Sequence, residues 1–336
     1  MNKTKKAFDK IMYKILENPD FSEHDKKIFL ENLNNLRNKH LNILITGATG
    51  SGKSSTINAL FEKPIAKVGE GVDPETMDIE CFELGNITLW DSPGLGDGRE
   101  RDNQHAKNII KKLNDVDENN HPLIDLVLVI LDGSSRDMGT SYQLINEVII
   151  PTMGKENSDR LIIAINQADI AMKGRGWDHE NNRPLPVLKK FLEDKVQSVK
   201  RRIKEATGVD VSPIYYSAGY SENGCQQAPY NLSKLMYLII KATPENKRAF
   251  YLDNTNKNNE MWKDDDGIKQ YREESSNSIT ESIEKAIARG TDWAAKGQKA
   301  GEFFGRLVGG EPGAKVGRAV GKTLGFFTGV ISSIFS

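Results

Sequence analysis

Gly47-Ala48-Thr49-Gly50-Ser51-Gly52-Lys53-Ser54 has the residue types and spacing of a phosphate-binding loop, G-x-x-x-x-G-K-[ST]. Glycines let the backbone curl so that successive N–H groups point inward, and the helix that follows adds the partial positive charge of its N-terminus. Lys53 then reaches the β- and γ-phosphates of a nucleoside triphosphate, and the Ser54 hydroxyl coordinates Mg²⁺. An apolar run over 41–45 precedes the loop and a helix-like run over 54–61 follows it. A linking turn alone would not require Lys-Ser after its last glycine. Gly47, Gly50, Ser51, Gly52, Lys53, Ser54 and Ser55 are therefore the nucleotide-binding candidates here.

Downstream residues decide which nucleotide. Asp91-Ser92-Pro93-Gly94 closes a strand-like run. An aspartate there can hold Mg²⁺ through water, and the Gly94 N–H can contact the γ-phosphate and sense its loss. Thr76, in the polar loop before the run 79–84, is placed to close on the same metal. Asn166-Gln167-Ala168-Asp169 follows the run 161–165, and Ser217-Ala218-Gly219 follows 213–216. These are the places where a G domain reads its base, which makes Asn166, Gln167, Asp169, Ser217 and Ala218 base-side candidates.

This spaced set resembles the translation-factor-class GTPases. Its wording is closest to a bacterial, prophage-associated Era-like family, through residues 47–61, 88–98 and 132–140, and its phosphate loop is also similar to that of immunity-related GTPases. The resemblance covers about residues 41–243. It implies GTP and GDP as ligands, Mg²⁺ as cofactor, and hydrolysis of GTP. Two departures matter. Where the family pattern reads Asn-Lys-x-Asp, this chain has Gln167 in the lysine position. Asp169 still offers two carboxylate oxygens to the donor pair of guanine, which adenine lacks, so guanine preference is expected to survive. The loss of the lysine tie to the phosphate loop is expected to cost about 1 kcal/mol. Where Ras-like enzymes carry a water-orienting glutamine, this chain has Leu95, which cannot hydrogen-bond water. Gly50 stands where potassium-assisted members carry asparagine, closing that route. Asp97, Arg99, Arg101 and His105 read as solvated residues of a switch loop, and the catalytic group stays unassigned.

The elements that must position these residues alternate between strand-like and helix-like runs, the signature of an α/β sheet. Runs 79–84 and 87–90 flank Gly85-Asn86 as a hairpin, whereas 126–131 and 161–165 are near-continuous apolar runs suited to central parallel strands. Helices are expected at 101–114, 141–150, 187–206 and 231–241. The expected fold is a Ras-like P-loop G domain over 41–243, mostly parallel with one antiparallel hairpin strand. A helical N-terminal segment, 1–40, precedes it, broken near Asn18-Pro19-Asp20, with Phe8, Ile11, Met12, Ile15 and Leu16 on one apolar face. A polar stretch around 244–268 reads as a linker, with a helix from 268 to about 289. Residues 172–184 form a basic, glycine-rich insertion in which Trp177 either anchors the loop or faces a ligand or partner.

Residues 291–336 carry glycine at every fourth position from Gly297 to Gly329. On a helix these glycines make a narrow groove for close backbone approach, at about 1 kcal/mol of helix propensity each relative to alanine. With Gly309-Gly310-Glu311-Pro312-Gly313 as a turn, the segment reads as a glycine-zipper hairpin for self-association or membrane contact. The chain has 336 residues, a net charge of −1 and two cysteines, which exclude a disulfide framework and a global basic field for DNA. Neither a secretory signal nor an apolar run of spanning length is visible, so the expected compartment is the cytoplasm, with peripheral membrane contact through the tail. Three readings stay open: a membrane-associated or oligomerising GTPase, a GTPase switch on a soluble partner such as the ribosome or RNA, and a non-catalytic nucleotide-binding scaffold. No RNA-binding module supports the second.

Overall fold

The computed structural model describes residues 6–19, 21–61, 79–96, 98–222 and 225–291. Two helices, α1 (Lys6–Glu17) and α2 (Glu23–Arg37), lead into strand β1 (Leu41–Gly47) and helix α3 (Lys53–Leu60). The hairpin β2 (Glu80–Leu84) and β3 (Ile87–Asp91) follows, then α4 (Arg99–Asn114) and β4 (Leu126–Asp132). Next come α5 (Gly139–Gln143), a π-helical turn Leu144–Ile149, α6 (Ile150–Met153) and β5 (Leu161–Asn166). The short hairpin β6 (Trp177–Asp178) and β7 (Arg183–Pro184) precedes the long helix α7 (Pro186–Thr207) and β8 (Ile214–Tyr215). A second small hairpin, β9 (Tyr220–Glu222) and β10 (Cys225–Gln227), leads to α8 (Leu232–Ala242), α9 (Tyr251–Asn254) and α10 (Tyr271–Ile287).

The main sheet has the order β2-β3-β1-β4-β5-β8, parallel throughout except for edge strand β2. The near-continuous apolar runs are explained by two cores, one on each face of the sheet. In β4, Leu126, Leu128 and Ile130 point into one, while Val127, Val129 and Leu131 point into the other. In β5, Ile162 and Ala164 alternate in the same way with Leu161, Ile163 and Ile165. The first core is covered by α1, α2, α8 and α10, the second by α4 and α7. The helix expected at 141–150 runs over 139–153 and changes register through the π-turn. Pro151 has no N–H to donate to the preceding turn, and the wider turn accommodates that loss.

Two expectations need correction. On α1, Phe8, Ile11 and Ile15 are buried and Met12 packs against the core, but Leu16 lies outside the buried stripe at 44% exposure. The stripe docks on the C-terminal elements, where the Phe8 and Phe250 ring centroids are 6.5 Å apart. The polar segment 244–268 is not an exposed linker. Phe250, Tyr251, Leu252 and Trp262 are buried in the first core, and α9 lies within the segment. Two of its asparagines satisfy backbone carbonyls: Asn256 Nδ2 donates to Ala59 O at 3.1 Å and Asn254 Nδ2 to Phe250 O at 2.8 Å. The acidic run 264–266 lies at the N-terminal turn of α8, where negative charge is favoured. There Ser233 Oγ donates to Asp265 Oδ2 at 2.9 Å and Lys234 pairs with Asp266.

Candidate functional site

The site lies where β1, β3, β5 and β8 end. The phosphate loop leaves β1 at Gly47 and enters α3 through Gly52, whose φ of 85° is left-handed. A side chain at three of its glycine neighbours has no room. A Cβ at Gly47 would lie 2.1 Å from Ile130 O, one at Gly52 would lie 2.2 Å from Asn166 Nδ2, and one at Gly94 would lie 2.6 Å from Thr49 Cα. The loop is thus packed tightly against β4, the base-side loop and the loop after β3. Thr49 N donates to Leu95 O at 2.9 Å, and Leu95 N to Gly47 O at 3.3 Å. Leu95 itself is buried in the second core.

Inside this cradle Lys53 Nζ donates to the Gly47 and Ala48 carbonyls, each at 3.2 Å, which keeps the ammonium folded over the loop. Ser51 Oγ is buried and has no hydrogen-bond partner among the described residues. Ser54 and Ser55 sit in the first turn of α3. Asp91 ends β3, with Oδ1 buried and likewise without a hydrogen-bond partner among the described residues. Burial pushes its carboxyl up to about 6, against the pull of Lys53 and with a contribution from Glu80. Buried polar groups of this kind are normally satisfied. A curled loop with an orphaned hydroxyl, a lysine over it and an orphaned carboxylate beside it fits a phosphate chain with a hydrated divalent cation. Among the described residues no group of three or more His, Cys, Asp or Glu side chains converges on one point. That suits Mg²⁺, which keeps several waters and takes one or two protein ligands plus phosphate oxygens. Ser54 and Asp91 would hold it. Thr76 lies outside the described residues.

Asn166 organises the base side. It is buried, its Nδ2 donates to Ser51 O at 2.9 Å and its Oδ1 accepts from Ala218 N at 3.0 Å. One side chain therefore links the phosphate loop, the end of β5 and the loop after β8. Gln167, at φ 60°, donates from Nε2 to Gly50 O at 2.8 Å. This corrects the expected loss of the tie, because the shorter amide reaches the phosphate loop from the lysine position. Asp169 is buried beside Ala168, whose N–H donates to Tyr216 O at 3.1 Å. Ser217 pairs with Tyr230 through its main chain, and its Oγ accepts from Gly219 N at 3.2 Å.

Other readings of the loops are also settled. Trp177 is a buried anchor, edge-on to Tyr230 with centroids 5.4 Å apart. His105 is buried on α4, not solvated, while Arg99 and Arg101 are exposed and Asp97 lies outside the described residues. Sequence reasoning assigns no role to Thr49, Gly133 or Lys195. Gly133, directly after Asp132 at the end of β4, was a usable signal, since glycine at a strand end marks close backbone approach. Lys195 carried none, because a lysine on an amphipathic helix reads as a solvated face.

Residues 42–167 match the family model described as 50S ribosome-binding GTPase. The fold is a Ras-like P-loop G domain. Among curated proteins, Escherichia coli YkfA is 33% identical over 146 residues, covering 42% of this chain and 46% of that protein. Escherichia coli YfjP is 29% identical over the same length and the same shares. The chain thus spans about half the length of the curated relatives it matches. Among solved structures, Toc33 from Arabidopsis thaliana in complex with GDP and Mg²⁺ aligns at 16% identity and a TM-score of 0.43, over 73% of this chain and 99% of that one. Among the described residues no helix is long and apolar enough to cross a membrane.

Proposed function

We propose that this protein binds GTP with Mg²⁺ and hydrolyses it to GDP and phosphate. The observation that carries the reading is the Asn166 side chain, which joins Ser51 O and Ala218 N and so assembles the phosphate and base loops into one pocket. Lys53 and the N–H groups of residues 50–54 offset charge on the β- and γ-phosphates. Asp169 accepts from the guanine ring and its amine. Ser54 and Asp91 would hold Mg²⁺, which would supply positive charge against the phosphates. Leu95 has no group to orient water, so the water-orienting residue comes from elsewhere in the chain or from a partner.

The test is nucleotide titration with and without Mg²⁺, followed by single-turnover hydrolysis. GTP should bind far more tightly than ATP, Asp169→Asn should shift preference toward xanthosine triphosphate, and Lys53→Ala should abolish tight triphosphate binding. Equal GTP and ATP affinity would sink the reading. Absence of turnover with intact binding would leave the scaffold reading in its place.

The finer placement in a bacterial, prophage-associated Era-like family rests on the wording of residues 47–61, 88–98 and 132–140. For the partner, we infer self-association or membrane contact through residues 291–336, which lie almost wholly outside the described residues. The glycine period supports it, and Gly317→Leu should abolish sedimentation of oligomers or liposome flotation while GTP binding persists. The description of the matched family model favours a second partner, the ribosome. Nucleotide-dependent co-sedimentation with 50S subunits separates the two.

A further inference from the structure

We propose that Lys195, in the middle of α7, is a positioning residue for base reading: it holds the loop after β4 against the end of β5 and so fixes Asn166. The proposal rests on the guanine-reading assignment above.

Lys195 is half-buried, and its ammonium donates to two main-chain carbonyls, Gly133 O and Ser135 O, the second at 2.7 Å. The Phe191 ring lies on another side, 5.7 Å from Nζ to centroid. Burial lowers the ammonium pKa, opposed by the charge of Asp132. A solvated lysine would keep its rotamer freedom; fixing this one costs side-chain entropy. Two charge-assisted hydrogen bonds offset that cost, and they act on one short loop.

That loop is in direct contact with the base-reading strand end. Gly133 N donates to Asn166 O at 2.8 Å, and a Cβ at Gly133 would lie 2.3 Å from the same oxygen. Asp132 and Asn166 are register partners in the parallel pair β4–β5. Contacts therefore run without a gap from Lys195 through Gly133 to the Asn166 backbone, and from its side chain to Ser51 and Ala218. Among the described residues the lysine makes no hydrogen bond to the phosphate loop or Asp169, so its removal acts only through the position of Asn166. The phosphate loop keeps its ties to Lys53 and Leu95, and the link to Ala218 on the base side takes the larger effect.

The experiment compares the full chain with Lys195→Met and Lys195→Arg, measuring dissociation constants for GTP and for ATP with Mg²⁺, with thermal unfolding in parallel. Lys195→Met should raise the GTP constant about tenfold, the scale of one charge-assisted bond, and leave the ATP constant within about twofold. Lys195→Arg, which keeps donors at the same place, should restore most of the GTP/ATP ratio. If Lys195→Met fails to fold, Lys195→Gln, with one donor left, is read in the same way. An unchanged GTP/ATP ratio in a folded variant overturns the positioning role, even if both affinities fall together. A parent protein without GTP preference overturns the base-reading assignment itself, and that arm is read first.

Discussion

Gln167 Nε2 lies 2.8 Å from the Gly50 carbonyl oxygen, so a neutral amide spans the gap that a lysine closes in the family pattern. The bond is exposed, and water competes for both partners, which keeps its net contribution near the low end for neutral pairs. Gln167→Ala should therefore weaken GTP and GDP alike by about 0.5 kcal/mol, or roughly twofold. Equal loss for both nucleotides follows because Gly50 belongs to the phosphate loop common to the two states. Calorimetric titration of each nucleotide checks it, and an unchanged constant for both would show that the amide does not tie the loops.

Gly94 has no room for a side chain. A Cβ there would lie 2.6 Å from Thr49 Cα and 2.7 Å from Thr49 N, which are backbone atoms that cannot rotate away. Gly94→Ala should push the phosphate loop off Leu95 and cost about 1–3 kcal/mol of stability, the range for overpacking. GTP affinity should fall with it, since Lys53 and the loop N–H groups move together. Urea unfolding and GTP titration of the variant test both parts, and parent-like values in both would contradict the packing seen here.

The phosphate loop, the hairpin, the central strands and the base-side motifs were legible because each depends on local spacing. Gly47 to Ser54 must follow one another, and Leu126 to Leu131 must be apolar on both faces. Segment 244–268 was misread because its polarity is spent internally. Asn256 bonds to the Ala59 carbonyl and the acidic run meets the start of α8, pairings that depend on residues far away in the chain. Gln167 was misread for a similar reason, since its reach to Gly50 depends on a left-handed backbone at φ 60° that spacing does not reveal. Leu95 was judged by what it cannot do to water, whereas its position is also set by burial in the second core.

Leu95 is 3% exposed among the residues of that core. Leu95→Ala leaves a cavity beneath the loop after β3 and should cost about 3 kcal/mol of unfolding free energy. Its main-chain bonds to Thr49 and Gly47 do not need the side chain, so GTP binding at saturating Mg²⁺ should fall much less than stability does. A variant as stable as the parent in urea would mean that the side chain is not packed as described.

Asp266 gives the fold a pH dependence of known sign. Burial alone would raise its carboxyl pKa. Lys234, the Tyr271 hydroxyl at 2.8 Å and the Ile268 N–H at 3.1 Å outweigh it, and the net shift is downward. A carboxyl depressed in the folded state binds protons more readily when unfolded. Its stabilisation is therefore fully present above the unfolded value of about 3.9 and is lost as pH falls through that value to the folded one. Asp266→Asn leaves Lys234 facing a neutral amide in a largely buried site and should cost about 3 kcal/mol at pH 7. The same variant should lose less stability than the parent when acidified from about pH 5 to pH 2, because the proton uptake by this group is gone. Parallel urea series at pH 7, 5, 4 and 3 decide the point: curves for parent and variant that stay a constant distance apart across the acid range would remove Asp266 as a source of the pH dependence.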